Sequence, residues 1–427
     1  MTPQEISLLI YNIALIPVVF VSVLFLIVAI LSIYMDNNKK EEKLKKLKHY
    51  PFVTVQVPCF NDPVAVNCIK ACMSFDYPKN RYEIMLLDDS TNAETQKLLK
   101  RFADKNPGFI RYVHRTNRQG YKAGALQEAM HLVKGEIIII FDADFLPEKY
   151  FLRKIVVPFE NPKVAIVQAR QGFSNHQTNL ISRFAAYLLM IHHAIFMPVN
   201  NKLNTVFFCG TAGAIRKKAM DEAGGWNPGS VTEDTDLSIR ILSKGYKNVY
   251  LKFETPSEVP TTMEGFIVQQ TRWTFGNFRA FIDHSSQILY KKGLTLRQRG
   301  MITFMTCGNI IAPAVILMTL AGLTGWFLGE PELFQMTHIA EFIIKFLYTI
   351  GFIIMALITF FKLKKVKEFP QLLLACFSVS IILAFANSAA IFRALFMHKK
   401  PLYKGSKDSW ICTPKQGNID FEKKSSP

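Results

Sequence analysis

The chain has 427 residues, enough for two or three domains, and half of its residues are hydrophobic. A formal net charge of +18 would suggest a nucleic-acid-binding protein if the basic residues lay on one soluble face. They cluster instead at the ends of apolar runs, so we expect no nucleic-acid partner. The seven cysteines show no CxxC spacing, which supports neither a disulfide framework nor a zinc site.

Three long apolar runs indicate a membrane protein. Ile6–Met35 has no charged residue and exceeds the roughly 20 residues that span a bilayer, so we predict an N-terminal transmembrane anchor over 1–36. Met301–Leu328 is a second run, and Phe342–Phe361, broken by one lysine, is a third. Residues 37–300 contain no run of that length, which predicts a soluble domain between the anchor and a helical bundle.

Basic residues border these runs on one side. The loop 329–337 has two glutamates and no lysine or arginine. The other borders are basic, with Lys39, Lys40, Lys43, Lys45, Lys46, Lys48, Lys291, Lys292, Arg297, Arg299, Lys362, Lys364, Lys365 and Lys367. By the positive-inside rule the soluble domain faces the cytosol. We expect an integral, multi-pass protein of the plasma membrane.

The soluble part alternates between strand and helix patterns. Strands are predicted over 52–58, 82–87, 110–114 and 136–141, and helices over 62–75, 93–104 and 124–133. This βαβα order implies a mostly parallel sheet with right-handed crossovers and a cover of helices. The predicted fold class is α/β, with a Rossmann-like domain attached to an α-helical transmembrane bundle.

Asp142 and Asp144 follow the apolar strand 136–141. Because side chains alternate along a strand, both carboxylates are expected to point the same way, at the sheet edge where such folds bind ligands. Oxygen ligands of this kind suit Mg²⁺ or Mn²⁺ that bridges to the phosphates of a substrate. We predict a metal site here; the alternative is a solvated acidic turn.

Two further loops at this edge carry candidate nucleotide ligands. Asp88 ends the second strand, and its carboxylate can hold a base or ribose, although an Asp-Asp-Ser helix cap would explain the same residues. Lys122 lies between two glycines at a helix start, where the helix N-terminus and the ammonium both attract a diphosphate. Neither a P-loop nor a GxGxxG motif occurs.

Glu233 and Asp234 begin an amphipathic helix that Thr232 is expected to cap. A carboxylate at a helix start beside a metal-bound sugar nucleotide is a candidate general base. The alternative is that the acidic residues only complement the helix dipole.

Gln269, Arg272 and Trp273 share one face of a later helix. Arginine can bind phosphate through two nitrogens, and tryptophan offers a flat surface to a sugar ring. The alternative is an Arg-Trp anchor at the membrane surface. The aromatic segment 275–290 that follows is predicted to be an interfacial helix.

Taken together, the D, DxD, TED and QxxRW motifs resemble those of the processive family-2 glycosyltransferases. These include cellulose synthase, hyaluronan synthase and the cellulose-synthase-like mannan and glucan synthases. The resemblance covers residues 50–285 and a C-terminal piece. It implies a GT-A catalytic domain. Phe208–Thr211 is similar to the cellulose synthase segment whose cysteine borders the acceptor sugar, which implies acceptor contacts for Cys209, Gly210 and Thr211.

The resemblance also implies a role for each motif residue. Asp234 would be the catalytic base, with Glu233 beside it, and Trp273 would contact the acceptor. Asp144 would bind the metal, with Asp142 assisting both the metal and the nucleotide. The remaining nucleotide-binding residues would be Asp88, Lys122, Gln269 and Arg272.

The C-terminal stretch resembles the gating loop of these synthases, with Trp410, Thr413 and Lys415 in the matching positions. A loop of this kind must lie in the cytosol, which four ordinary membrane crossings would prevent. We therefore predict that 385–397 is an interfacial helix and that 369–384 enters the membrane without a normal crossing.

The predicted organisation has five parts: an anchor (1–36), a GT-A domain (37–274), an interfacial helix region (275–300), transmembrane and interfacial helices (301–397) and a gating-loop tail (398–427). The predicted activity is processive, inverting polymerisation of a β-linked hexose and export of the polysaccharide. UDP-glucose is the preferred donor and GDP-mannose the second. The alternatives are a non-processive transferase acting on a membrane lipid and a non-enzymatic transporter or scaffold with an inactive catalytic domain.

Overall fold

A computed structural model describes residues 1–35, 47, 49–329 and 350–396 of the chain. Seven strands form one sheet in the central part. They are β1 (Val53–Cys59), β2 (Tyr82–Asp88), β3 (Ile110–His114), β4 (Ile137–Ile140), β5 (Val164–Phe173), β6 (Gly213–Arg216) and β7 (Lys247–Ser257).

The sheet is mixed and mostly parallel, with strand order β3-β2-β1-β4-β6-β5-β7. Parallel pairs join β1 to β2 and β4, β2 to β3, and β5 to β7. β6 runs antiparallel to both of its neighbours, and Gly213 at its start pairs with Ile140 at the end of β4. The loop before β6 therefore reaches the same sheet edge as the C-terminal ends of β1, β2 and β4.

Both faces of the sheet are buried, which is why its central strand is a continuous apolar run. Ile137 and Ile139 pack into one core, and Ile138 and Ile140 pack into the other. The helices of this domain are α2 (Ala65–Met73), α3 (Ala93–Asp104), α4 (Tyr121–Glu128), α5 (Phe151–Ile155), α8 (Lys217–Glu222) and α9 (Glu233–Ser243). The predicted α/β fold is confirmed. Helix α4 begins three residues earlier than predicted, so Lys122 lies in its first turn.

The remaining helices form a bundle against this domain. They are α1 (Pro3–Met35), α6 (Leu180–Ile191), α7 (Met197–Leu203), α10 (Met263–Leu289), α11 (Leu296–Cys307), α12 (Ile311–Phe327), α13 (Gly351–Lys362) and α14 (Phe369–Phe396). Polar contacts tie α1 to its neighbours: the Ser7 hydroxyl donates to the Ala321 carbonyl at 2.6 Å, and the Gly351 amide donates to the Ser22 hydroxyl at 2.9 Å.

Within the described residues, four helical segments are long and apolar enough to cross a membrane: Pro3–Met35, Leu180–Leu203, Leu296–Phe327 and Val366–Phe396. The second lies inside 37–300, where the sequence shows no charge-free apolar run of that length. Polar residues such as Arg183 and His192 interrupt its sequence pattern. In the structure more than half of its most apolar part is buried against the rest of the protein.

Helix α14 is unbroken from Phe369 to Phe396, so the boundary predicted between residues 384 and 385 falls inside one helix. Its C-terminal half packs on α10, where Ala390 and Ile391 contact Phe275 and Phe278. At about 42 Å, the helix is longer than a bilayer core is thick.

Helix α10 is also continuous, and the boundary predicted between residues 274 and 275 falls inside it. Buried Thr274 donates a hydrogen bond to Asn387 of α14 at 3.0 Å and accepts one from Asn309 at 2.6 Å. The helix that carries the QxxRW motif is therefore fastened to the bundle by side-chain hydrogen bonds. The tail at 398–427, with Trp410, Thr413 and Lys415, lies outside the described residues.

Candidate active site

A cavity of about 710 Å³ opens where the sheet edge meets the helical bundle. Loops after β1, β2 and β4, the loop before β6, the start of α9 and one face of α10 all contribute to its wall. It extends to α1, α6 and α11, so a single space runs from the sheet edge to the membrane helices.

Asp142 and Asp144 both line this cavity. Strand β4 ends at Ile140, so they lie in the loop beyond it, and alternation along a strand is not what aligns them. Asp142 accepts from the Lys122 ammonium at 2.6 Å, and its own amide donates to the Thr211 hydroxyl at 2.9 Å. Asp144 accepts from the Glu258 amide at 3.1 Å. Contacts from helix α4, from the loop before β6 and from the segment after β7 thus hold the loop that carries the two aspartates.

Lys122 lies between two acidic groups in the cavity wall. Its ammonium is 2.6 Å from Asp142 and 3.9 Å from Glu233, and it donates to the Gly210 carbonyl at 2.9 Å. Burial alone would lower the pKa of this ammonium, but the charges of Asp142 and Glu233 outweigh burial and raise its pKa. Lys122 therefore remains a cation and links the DxD loop to the start of α9.

Asp234 lines the cavity from the first turn of α9. Its carboxylate accepts from the Thr235 amide at 2.7 Å. Enclosure in the wall and the neighbouring charge of Glu233 together raise its pKa to about 7. A carboxylate with that pKa can accept a proton near neutral pH, which is what a general base requires.

The loop before β6 presses against Asp234. Gly210 has a φ of 77°, and a Cβ there would lie 3.1 Å from the Asp234 carboxylate, so the position requires glycine. Gln168 holds the loop by accepting from the Cys209 amide at 2.8 Å and donating to the Thr211 carbonyl at 3.0 Å. The role of Gln168 could not be predicted from local sequence, because its partners lie 41 and 43 residues further along the chain.

Gln269, Arg272 and Trp273 line the cavity from α10, as their spacing predicted. The Gln269 side-chain oxygen is buried and has no hydrogen-bond partner among the described residues. Thr232 occupies the cap position of α9, but its hydroxyl makes no capping bond.

Asp88 does not reach the cavity. Its fully buried carboxylate accepts from the Tyr112 hydroxyl at 2.6 Å and from the Ser90 amide at 2.9 Å. These contacts favour a structural role for Asp88, and its expected contact with the nucleotide base stays a prediction. Arg118 and Phe60 line the cavity close to one another. The Arg118 guanidinium carbon is 3.4 Å from the centroid of the Phe60 ring. Nothing in the sequence pattern distinguished either residue.

One end of the cavity is aromatic. Phe25, Phe196 and Phe304 line it from three segments of the bundle, with centroids 5.6 to 6.3 Å apart. Phe352 packs behind Phe25 at 6.0 Å. The sequence did not predict this cluster, because its members are far apart along the chain.

The profile of a family described as glycosyl transferase family group 2 matches residues 137–362, more than half of the chain. The chain belongs to this family. The enzyme class expected from the sequence motifs, a glycosyltransferase, is therefore confirmed.

Among curated proteins, the chain is 38% identical over 258 residues to glucomannan 4-beta-mannosyltransferase 9 of Arabidopsis thaliana, covering 58% of this chain and 48% of that protein. It is 34% identical over 270 residues to glucomannan 4-beta-mannosyltransferase 1 of Cyamopsis tetragonoloba, covering 61% and 51%. The chain thus spans about half the length of the curated relatives it matches.

Among solved structures, the fold matches a mannosyltransferase from Pyrobaculum calidifontis, solved in complex with GDP-Man and Mn²⁺. The TM-score is 0.65 at 18% identity, with 92% of this chain and 99% of that chain covered. This similarity extends over the catalytic domain and the bundle together, and it confirms the expected GT-A-like fold.

Exchanging Asp88 for asparagine tests its structural role. Asp88→Asn leaves one acceptor oxygen for two donors, the Tyr112 hydroxyl and the Ser90 amide, so we expect a stability loss of about 1–3 kcal/mol and an unchanged donor dissociation constant in the folded fraction. Arg118→Ala is the contrasting variant, with donor binding about tenfold weaker and no comparable fall in melting temperature. If Asp88→Asn binds the donor more weakly than the unaltered protein, Asp88 contributes to nucleotide binding and its role is not purely structural.

The raised pKa of Asp234 predicts a pH profile. A base must be deprotonated, so the turnover rate should fall about tenfold per pH unit below pH 7 and level off above it. Glu233→Gln removes the charge that helps to raise this pKa and should shift the acid limb to lower pH. The measurement is kcat against pH for both proteins. If the acid limb lies at the same pH in the unaltered protein and in Glu233→Gln, the Glu233 charge does not raise the pKa of the catalytic base.

Proposed function

We propose that this protein is an inverting hexosyltransferase that moves a hexose from a sugar nucleotide to a hydroxyl group of a saccharide acceptor. The observation that carries the proposal is one continuous cavity with two carboxylates, a cation and a carboxylate of raised pKa on its wall. All of these residues line that cavity. We assign Asp142, Asp144 and Lys122 to the donor and Asp234 to the acceptor.

GDP-mannose is the donor we propose first, ahead of the UDP-glucose that sequence resemblance alone favoured. The curated relatives are named as mannosyltransferases, and the fold neighbour was solved with GDP-Man. Arg118 stacked on Phe60 offers a flat cation–aromatic surface suited to a nucleobase. These residues take over the base-binding role first expected of Asp88.

The donor residues suit Mg²⁺ or Mn²⁺. Asp142 and Asp144 supply hard oxygen ligands on one cavity, and such ions need only one or two protein carboxylates when phosphates and water complete the shell. No group of three or more His, Cys, Asp or Glu residues gathers within the described ranges, so a cage made of protein ligands alone has no support there. When bound, the ion would neutralise charge on the departing nucleoside diphosphate.

The protein's own groups account for the transfer step. Asp234 accepts the proton of the acceptor hydroxyl as its oxygen bonds to the anomeric carbon, and the bond from that carbon to the phosphate oxygen breaks. Lys122 and Arg272 also line the cavity and, in this proposal, offset charge on the leaving diphosphate. Trp273 offers its ring to the acceptor sugar. A single displacement of this kind inverts the anomeric configuration.

The acceptor is proposed to be a growing β-linked hexose chain, extended processively and exported through the bundle. The gating loop expected at Trp410, Thr413 and Lys415 remains part of this proposal, as do a cytosolic catalytic domain and a plasma-membrane location. A second candidate is transfer to a membrane lipid that carries the acceptor hydroxyl. The aromatic end of the cavity, with Phe25 and Phe304, favours it because that wall is apolar.

The test uses purified full-length protein with Mn²⁺, β-1,4-linked mannotetraose and radiolabelled GDP-mannose or UDP-glucose. We expect mannose to be incorporated into products longer than the added acceptor. Labelled product in the organic phase instead would favour the lipid candidate, and transfer from UDP-glucose alone would restore the first donor preference. If neither donor is consumed, the proposed function is wrong.

The same assay tests the metal proposal. EDTA should abolish transfer, and Asp144→Asn should reduce it at least 100-fold because an amide is a poorer ligand for a hard cation. Asp221→Asn, at an exposed carboxylate on α8, is the matched control and should behave as the unaltered protein. Full activity in EDTA would contradict the metal assignment.

A further inference from the structure

A π-helical turn, His192–Phe196, interrupts the long helix between α6 and α7. Such insertions are uncommon and occur often at functional sites, because they displace side chains from the regular helical positions. This turn is held in place by outside partners. The Tyr250 hydroxyl donates to the His193 carbonyl at 3.1 Å, and the Lys362 ammonium donates to the Ala194 carbonyl at 3.2 Å.

His193 lines the cavity from this turn and is only 2% exposed. Both of its ring nitrogens are buried, and neither has a hydrogen-bond partner among the described residues. A buried polar group without a hydrogen-bond partner lowers the free energy of unfolding by about 1–3 kcal/mol. A neutral imidazole has one N–H donor and one nitrogen acceptor. With both unpaired in the cavity wall, His193 is suited to bind a polar ligand in the cavity.

The position of His193 indicates which ligand this is. Its ring stacks on Tyr250, with centroids 5.9 Å apart and planes at 17°. Tyr250 packs in the same small cluster as Cys209, which directly precedes the Gly210 that touches Asp234. The same turn carries Phe196, which packs on Phe25 and Phe304 of the bundle, so His193 lies on the bundle side of the cavity.

We propose that His193 is an acceptor-binding residue whose ring nitrogens hydrogen-bond to hydroxyl groups of the acceptor sugar. The proposal rests on the proposed hexosyl transfer and adds an acceptor contact on the bundle side of the cavity. An acceptor hydroxyl would provide the hydrogen-bond partners that the buried His193 nitrogens lack. The residues assigned to the sugar nucleotide would not be affected. His193 thereby positions the acceptor and takes no part in proton transfer.

The test variant is His193→Phe, which keeps the stacking on Tyr250 and removes both nitrogens. With mannotetraose as acceptor, we expect its KM to rise about tenfold. The dissociation constant of GDP-mannose with Mn²⁺, and the rate of donor hydrolysis without acceptor, should stay within twofold of the unaltered protein. Melting temperature should not fall, because the variant removes unpaired buried nitrogens. If His193 had a purely structural role, the melting temperature would fall and the acceptor KM would not rise selectively.

Two further variants complete the experiment. His193→Gln retains a donor and an acceptor and should recover most of the acceptor affinity, and it replaces the phenylalanine variant if that protein does not fold. His131→Phe, at an exposed position, is the control. An unchanged acceptor KM in His193→Phe, or an equal loss of donor affinity, would overturn the inference while hexosyl transfer stands. Absence of any transfer by the unaltered protein would overturn the proposed function itself.

Discussion

The site depends on the Lys122 ammonium, which lies between a carboxylate of the loop after β4 and one at the start of α9. Asp142 and Glu233 both lie within 3.9 Å of it, and Asp234 follows Glu233 at the start of the same helix. Two like charges 4 Å apart repel each other by about 4 kcal/mol at an effective dielectric of 20. Without the cation, these acidic groups would move apart or bind protons. With it, they remain together, and Asp234 retains a pKa suited to a base.

The catalytic domain and the bundle share one cavity because α10 belongs to both. One face carries Gln269, Arg272 and Trp273 into the cavity, and the other hydrogen-bonds through Thr274 to Asn387 of α14. Removing a partner from a buried polar contact costs more than the contact is worth, so the two parts are fastened in a fixed relation. This arrangement joins helices of the bundle to the cavity that Asp142, Asp144 and Lys122 line.

Much of this architecture could be predicted from local patterns, because apolar alternation and turn chemistry determine which segments become strands and helices. Strand β3 and helix α3 have the predicted bounds, and the motif residues on α9 and α10 reach one cavity. Asp88 could not be assigned in this way, because its partner Tyr112 is distant in sequence and uses the carboxylate. His193 was missed because its position depends on a π turn held by Tyr250 and Lys362, which is a tertiary effect.

The central claim is that Asp234 acts on the acceptor from outside the donor site. Calorimetric binding of GDP-mannose with Mn²⁺ to Asp234→Asn, set beside turnover of the same preparation, tests it most directly. The account predicts donor binding within about twofold of the unaltered protein and a loss of turnover of at least 100-fold. Donor binding and turnover lost together, or turnover retained, would contradict it.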